Sequence, residues 1–279
     1  MTATRRAAVL GSPIAHSLSP VLHRAAYAAL GLPWEYSAVE VDEATLAEFW
    51  SSLDQTWVGL SLTMPLKVAV LGLLDDVTPL ARSIGAVNTV VFESEQAIGY
   101  NTDVPGMVRA LDEAQSDRRR VSSASIIGAG ATARSSLGAL VERHGRDLPV
   151  TVYARRPTQA GEIIALADDI GGVITVGEWG DLARAWSADL VVSTLPGTAD
   201  PTVTLPARPG LLMDVAYDPW PTPLSTRWRS AGGAVATGAD LLLGQAIDQV
   251  TLMTGREAPV EAMRAALLAA LDERADAGV

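Results

Sequence analysis

Short apolar runs alternate along this chain with longer stretches whose apolar residues recur every three or four positions. That alternation is the signature of strands interleaved with helices. In the first third, the runs Ala7–Leu10, Glu35–Val41, Trp57–Leu62 and Thr89–Glu93 read as strands. Pro20–Leu30, Glu43–Leu53 and Leu66–Leu71 between them read as helices, with Val21, Leu22, Ala25, Ala29 and Leu30 on one face of the first. A helix follows from Asp103 to about Ala114, then a polar stretch, Gln115-Ser116-Asp117-Arg118-Arg119-Arg120, that reads as a solvated turn. Beyond it lie Val121–Ile127, Val150–Ala154, Val173–Val176, Asp189–Leu195, Leu211–Tyr217 and Ala234–Ala236. Six such strands separated by helices suit a doubly wound sheet, and Leu241–Met253 and Pro259–Arg274 close the chain as two helices.

Composition narrows the classes. Apolar residues make up 48% and charged residues 19% of 279, which is the balance of a core-forming protein. A formal charge of −11 disfavours nucleic acid and anionic membranes as partners. With no cysteine there is no disulfide, thiolate nucleophile or cysteine metal site. The three histidines, His16, His23 and His144, share no metal-binding spacing, so no metal is expected. The opening residues do not read as a signal peptide and no apolar run is long enough to span a bilayer, so the cytoplasm is the expected compartment.

Two stretches carry chemistry. Gly128-Ala129-Gly130-Ala131-Thr132-Ala133 follows a strand and opens a helix. The glycines allow a tight turn and close approach of a pyrophosphate to the helix N-terminus, while the small last residue lets helix pack on strand. At the end of the next strand, where a ribose-binding acid would select NAD, stand Arg155 and Arg156. Guanidinium groups suit a 2′-phosphate, so the expected cofactor is NADP. The other stretch is GSPIAHSLSP, Gly11 to Pro20. Its hydroxyls Ser17 and Ser19 either cap the following helix or hold a ligand. Lys67 lies in an apolar segment, as a snorkelling surface residue or a functional one. Asp103, in Asn101-Thr102-Asp103, reads by itself as part of a capping turn.

Taken in order, Ile14-Ala15-His16-Ser17-Leu18-Ser19-Pro20, Ser61-Leu62-Thr63-Met64-Pro65-Leu66-Lys67, Gly85 to Thr89, Gly99-Tyr100-Asn101-Thr102-Asp103 and Gly238 to Ala246 resemble the motifs of the shikimate dehydrogenase family over nearly the whole chain. The resemblance implies NADPH-linked, reversible reduction of 3-dehydroshikimate to shikimate. It implies an α/β fold of two domains with a deep cleft between them: a substrate domain, 1–103 with 239–279, and a Rossmann-type NADP domain, 104–238. It makes Lys67 and Asp103 the acid–base pair, with Ser17 and Ser19 on the substrate carboxylate. Ser61, Thr63, Asn88, Tyr217 and Gln245 would contact the rest of the substrate. Gly128, Ala129, Gly130, Ala131, Thr132, Ala133, Arg155, Arg156, Ser193, Thr194, Leu195 and Gly238 would hold the cofactor. The partners implied are small molecules, with the chain a monomer or homodimer.

Three positions depart from the family pattern: Ser61 and Ala154 stand where Asn is usual, and Asp240-Leu241 replaces Gly-Met. Two rival readings accompany the resemblance. A quinate/shikimate dehydrogenase of broader specificity is disfavoured by Ser19 and Arg155, though Ser61 leaves it open. A non-catalytic NADP-binding paralogue would be expected to lose Lys67 or Asp103, and both are present.

Overall fold

The computed structural model describes residues 4–115, 120–199 and 205–277; Ser116 to Arg119 of the expected solvated turn lie outside them. The chain divides into two compact units, Met1–Thr102 with Gln245–Arg274, and Asp103–Gly244 with Ala275–Val279.

The first unit runs β1 (Arg6–Gly11), α1 (Ser19–Ala29), β2 (Glu35–Glu40), α2 (Leu46–Ser51), β3 (Trp57–Leu62), α3 (Leu66–Ala69), β4 (Asp76–Val77), α4 (Pro79–Ile84), β5 (Thr89–Glu93) and β6 (Gln96–Tyr100). Its six strands form one sheet in the order β2-β1-β3-β5-β6-β4. β1 pairs parallel with β2 and β3, whereas β5 pairs antiparallel with β3 and β6. On one face Leu10, Leu60, Leu62, Leu66 and Val90 pack together as a buried cluster.

Several elements differ from the sequence expectation. The buried face of α1 is Ser19, Leu22, His23, Ala26 and Tyr27, rotated from the expected one because a polar histidine and tyrosine turn inward. α2 starts three residues later than expected, since the Asp42 carboxylate takes the N–H groups of Ala44 and Thr45 in a local turn. β4, α4 and β6 were not expected at all. The β5–β6 hairpin turns at Ser94 and Glu95, both with positive φ, without the Asn or Gly that signals such a turn in sequence.

The second unit runs α5 (Asp103–Ala114), β7 (Ala124–Ile127), α6 (Ala131–His144), β8 (Val150–Tyr153), α7 (Pro157–Ile170), β9 (Ile174–Gly177), α8 (Leu182–Ala185), β10 (Leu190–Ser193), β11 (Leu211–Asp214), α9 (Pro223–Ser230) and β12 (Ala234–Thr237). All six strands are parallel, in the order β12-β11-β10-β7-β8-β9. This is the strand order of a doubly wound dinucleotide-binding fold, with its switch point between β7 and β10. Four of the strands, β7, β8, β10 and β11, are shorter than their apolar runs: β10 stops at Ser193 and β11 at Asp214, where the backbone leaves the ladder. Trp186 and Trp228 are fully buried on one face with Ile127, Val191 and Leu212. α10 (Gly238–Thr254) and α11 (Val260–Ala277) end the chain. Among the described residues no helix is long and apolar enough to cross a membrane.

Candidate active site

In the first unit, the loops after β1 and β3 are fastened to each other. Ser12 N–H donates to Met64 O at 3.0 Å and Thr63 N–H to Leu10 O at 2.9 Å. Their approach is so close that a Cβ on Gly11 would stand 2.3 Å from Thr63 Cγ2, which explains the glycine. Glu40 braces the same loop, accepting from Ser12 Oγ at 2.7 Å and Ile14 N–H at 3.1 Å. Ser17, Ser19 and Thr63 are thereby held on two braced loops at the carboxyl ends of neighbouring parallel strands.

The capping alternative for Ser19 does not hold. α1 begins at Ser19 itself, its N-cap position is Leu18, and no side chain caps it. Ser17 Oγ instead accepts from Ser19 N–H at 3.3 Å. Lys67 lies on α3, half-buried, with its carbonyl accepting from Val87 N–H at 2.8 Å. That bond ties the Lys67 turn to the segment carrying Asn88.

Asn88 sits in a buried polar network. Its Oδ1 accepts from Thr102 N–H at 2.7 Å and from Thr89 Oγ1 at 3.1 Å; its Nδ2 donates to Thr102 Oγ1 at 2.9 Å and to Gln245 Oε1 at 3.4 Å. Asn101 Nδ2 donates to Ala86 O at 2.9 Å, fixing the turn that leads through Thr102 to Asp103. Asp103 is buried as the first residue of α5, in the second unit.

Ser61 joins the same network through Gln249. It accepts from Tyr36 OH at 2.6 Å and donates to Gln249 Oε1 at 2.9 Å, and Gln249 Nε2 donates to Thr89 Oγ1 at 3.0 Å. Tyr36 stacks on His23, ring centroids 3.9 Å apart, and His23 Nδ1 donates to Ser19 O at 2.9 Å. Burial pushes the Tyr36 phenol well above its ordinary range and pulls His23 down to about 4. Tyr36 therefore keeps its proton and His23 stays neutral at neutral pH.

In the second unit, the glycine turn is built around Thr194. Thr194 N–H and Oγ1 both donate to Ile127 O, at 2.9 and 2.8 Å. Gly128 has φ +117°, and a Cβ there would lie 1.9 Å from Thr194 Oγ1. Only glycine fits. A Cβ on Gly130 would meet no protein atom, and α6, which opens at Ala131, has neither a side-chain cap nor an acid in its first turn. An uncapped helix N-terminus with open space at Gly130 leaves room and backbone donors for a pyrophosphate, so the residues fit NADP. Ala129, Ala131, Thr132 and Ala133 complete the turn and the start of α6.

Arg155 and Arg156 are exposed at the end of β8, and the Arg155 guanidinium lies over the Trp179 ring, 5.8 Å from its centroid. Trp179 is a neighbour that the sequence pattern did not single out. Ser193, which ends β10, is buried with no hydrogen-bond partner for Oγ, and Leu195 packs at the edge of the core beneath. Tyr217 is half-buried in the loop after β11. Gly238 is required where α10 meets that loop, since a Cβ would lie 2.3 Å from Val215 O. The departure at Asp240 has a local cause. Its carboxylate accepts from Thr237 N–H at 2.8 Å while Thr237 Oγ1 accepts from Asp240 N–H at 3.3 Å, a reciprocal cap on α10. Asp214 accepts from Thr222 Oγ1 at 2.5 Å, and burial raises it to about 6.

Two regions match family descriptions: residues 9–90 the shikimate dehydrogenase substrate binding domain, and 238–268 the shikimate 5′-dehydrogenase C-terminal domain. A shikimate dehydrogenase (NADP(+)) of Moorella thermoacetica is 38% identical across 92% of this chain and 90% of its own. The chain belongs to the shikimate dehydrogenase family. Among solved structures of that family, the Mycobacterium tuberculosis shikimate dehydrogenase is 38% identical with a TM-score of 0.82, covering 95% of this chain and 99% of its own. The Thermus thermophilus enzyme, in complex with NADP(H) and shikimate, is 34% identical with a TM-score of 0.82, over 96% of this chain and all of its own.

Proposed function

We propose that this chain catalyses the reversible, NADPH-dependent reduction of 3-dehydroshikimate to shikimate. Besides family membership, the observation that supports it is the Val87 N–H bond to Lys67 O, which makes the Lys67 turn and the Asn88 network one braced piece. NADPH held by the second unit would supply the hydride, and its oxidised form would accept it in the reverse direction. Reduction leaves the former ketone oxygen in need of a proton, which Lys67 Nζ gives; in reverse Lys67 takes it from the hydroxyl. Asp103 is the carboxylate that orients the Lys67 ammonium and a substrate hydroxyl. Ser17 and Ser19 hold the substrate carboxylate, and Thr63, Asn88, Gln245 and Tyr217 meet its ring substituents. Groups placed to bond hydroxyls reject analogues that lack them, because the protein partner is then left unpaired.

On the cofactor side, the Gly128–Ala133 turn receives the pyrophosphate and Arg155 with Arg156 the 2′-phosphate. Ser193, Thr194, Leu195 and Gly238 border the nicotinamide end. The partners are these small molecules, and the compartment is the cytoplasm.

The test is turnover of shikimate and quinate, each with NADP and NAD. Rapid reduction of NADP by shikimate, and slow reaction in the other three pairs, is expected. Comparable rates with quinate would move the assignment to the broad-specificity rival, and no turnover in any pair would overturn it.

A further inference from the structure

Residues 215–222 link β11 to α9 as a loop that carries Tyr217. Both feet of this loop stand on one carboxylate. Asp214, the last residue of β11, accepts from Ala216 N–H at the near foot and from Thr222 Oγ1 at the far one, the latter at 2.5 Å. Thr222 in turn accepts from Ser225 N–H at 3.1 Å as the N-cap of α9. Asp214, Thr222 and Ser225 are buried, whereas Val215 to Pro221 are half-buried or exposed. Two glycines hem the loop backbone in. A Cβ on Gly197 would lie 2.0 Å from Asp218 O, and one on Gly238 would lie 2.6 Å from Ala216 O. Neighbouring backbone thus closes on both sides, and the feet decide where Tyr217 stands.

The two bonds belong to the ionised carboxylate, because both partners donate to it. Protonation would put a donor O–H where Ala216 N–H and Thr222 O–H already donate, so one foot must let go. The ladder neighbours of Asp214, Ser193 on β10 and Thr237 on β12, carry no charge. Asp218 on the loop, Arg227 and Arg229 on α9 and Asp240 at the start of α10 are the charged groups on the elements around it. None of them moves its carboxyl: burial pushes it up to about 6 against the pull of the two hydrogen bonds.

We propose that Asp214 is a positioning residue for Tyr217: its ionised carboxylate ties down both feet of the loop that presents the tyrosine to the substrate, and a proton there loosens the loop and weakens shikimate binding. Buried beneath the loop, Asp214 acts through Tyr217 and is not itself catalytic. The proposal rests on the proposed place of Tyr217 at the substrate.

The shikimate KM against pH, at saturating NADP, tests it in wild type and in Asp214→Asn, which has the shape of the protonated acid. The wild-type KM is expected to stay level from about pH 8 to about pH 7 and to rise about fivefold as pH falls through about 6. Asp214→Asn should hold the raised value at every pH, with kcat and the NADP KM at about pH 8 within about twofold of wild type. Thr222→Ser, which keeps the far foot, should behave as wild type. An acid rise that survives in Asp214→Asn overturns the proposal. So does a parallel shift of kcat, both KM values and Tm, the mark of a merely structural role. A readout without turnover needs no variant: the Ala216 amide signal of the wild type should titrate with a midpoint near 6. An amide that does not titrate overturns the proposal even in an active enzyme. An amide that titrates while the shikimate KM stays level overturns it too, and leaves the functional assignment standing. A wild type that turns over no shikimate overturns that assignment, and the proposal falls with it.

Discussion

The candidate site of the first unit is made of side chains that answer one another, and that of the second is made of backbone. Around Asn88 the side chains of Ser61, Gln249, Thr89 and Thr102 each find a partner, and the geometry depends on which atom donates. Around Gly128 the decisive features are a positive φ, a contact that tolerates no Cβ, and an uncapped helix end. A ring bearing hydroxyls needs directional partners that differ at each carbon. A pyrophosphate needs several N–H groups at once, whatever the side chains are. The first kind of site is open to tuning by substitution, whereas the second is held by the absence of side chains.

Substitutions that break each half should therefore fail differently. The largest effect is expected from Lys67→Ala, with kcat lowered about a thousandfold and the shikimate KM changed by no more than a few fold, since proton transfer by a placed group contributes on that order. Steady-state kinetics in both directions check this, and near-normal kcat would remove Lys67 from the chemistry. Gly128→Ala comes next. A Cβ 1.9 Å from Thr194 Oγ1 at φ +117° forces the turn apart. The expected cost is about 3 kcal/mol of stability together with loss of NADP binding by calorimetry. Wild-type affinity in that variant would mean the turn does not hold the cofactor.

Acid should act on the first unit through His23. Buried and neutral, with Nδ1 donating to Ser19 O, it is pulled from 6.5 to about 4. Between those values the unfolded chain binds the extra proton, so the stability His23 contributes is complete above pH 6.5 and lost as pH falls toward 4. His23→Phe should lessen the loss of stability over that interval by about 3 kcal/mol in urea unfolding, and an unchanged slope would contradict it. The smallest expected effect is that of Arg155→Ala, because the guanidinium is exposed: the KM for NADP rises about tenfold and that for NAD is unaffected. Equal effects on both cofactors would separate Arg155 from the 2′-phosphate.

The two units also differed in how far their sequence could be read. Parallel strands buried on both faces appear as plain apolar runs, so every strand of the second sheet was visible, and only its ends shifted where loops rise at Ser193 and Asp214. In the first unit β6 was missed because its hairpin turns on Ser94 and Glu95, residues that rarely take positive φ. His23 and Tyr27 defeated the amphipathic pattern of α1 by being buried and polar at once. Short motifs named Asn88 and Gln245, but Tyr36 and Gln249 escaped them. The one hint was spacing, since Gln249 is four residues beyond Gln245 on the same helix face. Asp240 departs from the family pattern as the far end of a capping sequence, Thr237-Gly238-Ala239-Asp240.

The division of labour between the two units is tested most directly by titrating the isotope-labelled protein with each ligand in turn and following its amide signals. Shikimate is expected to move Ser17, Ser19, Thr63 and the side-chain amide of Gln245, and NADP to move Gly128 through Ala133 and Arg155. Shikimate shifting the Gly128 turn while leaving Ser17 to Pro20 unmoved would contradict the account.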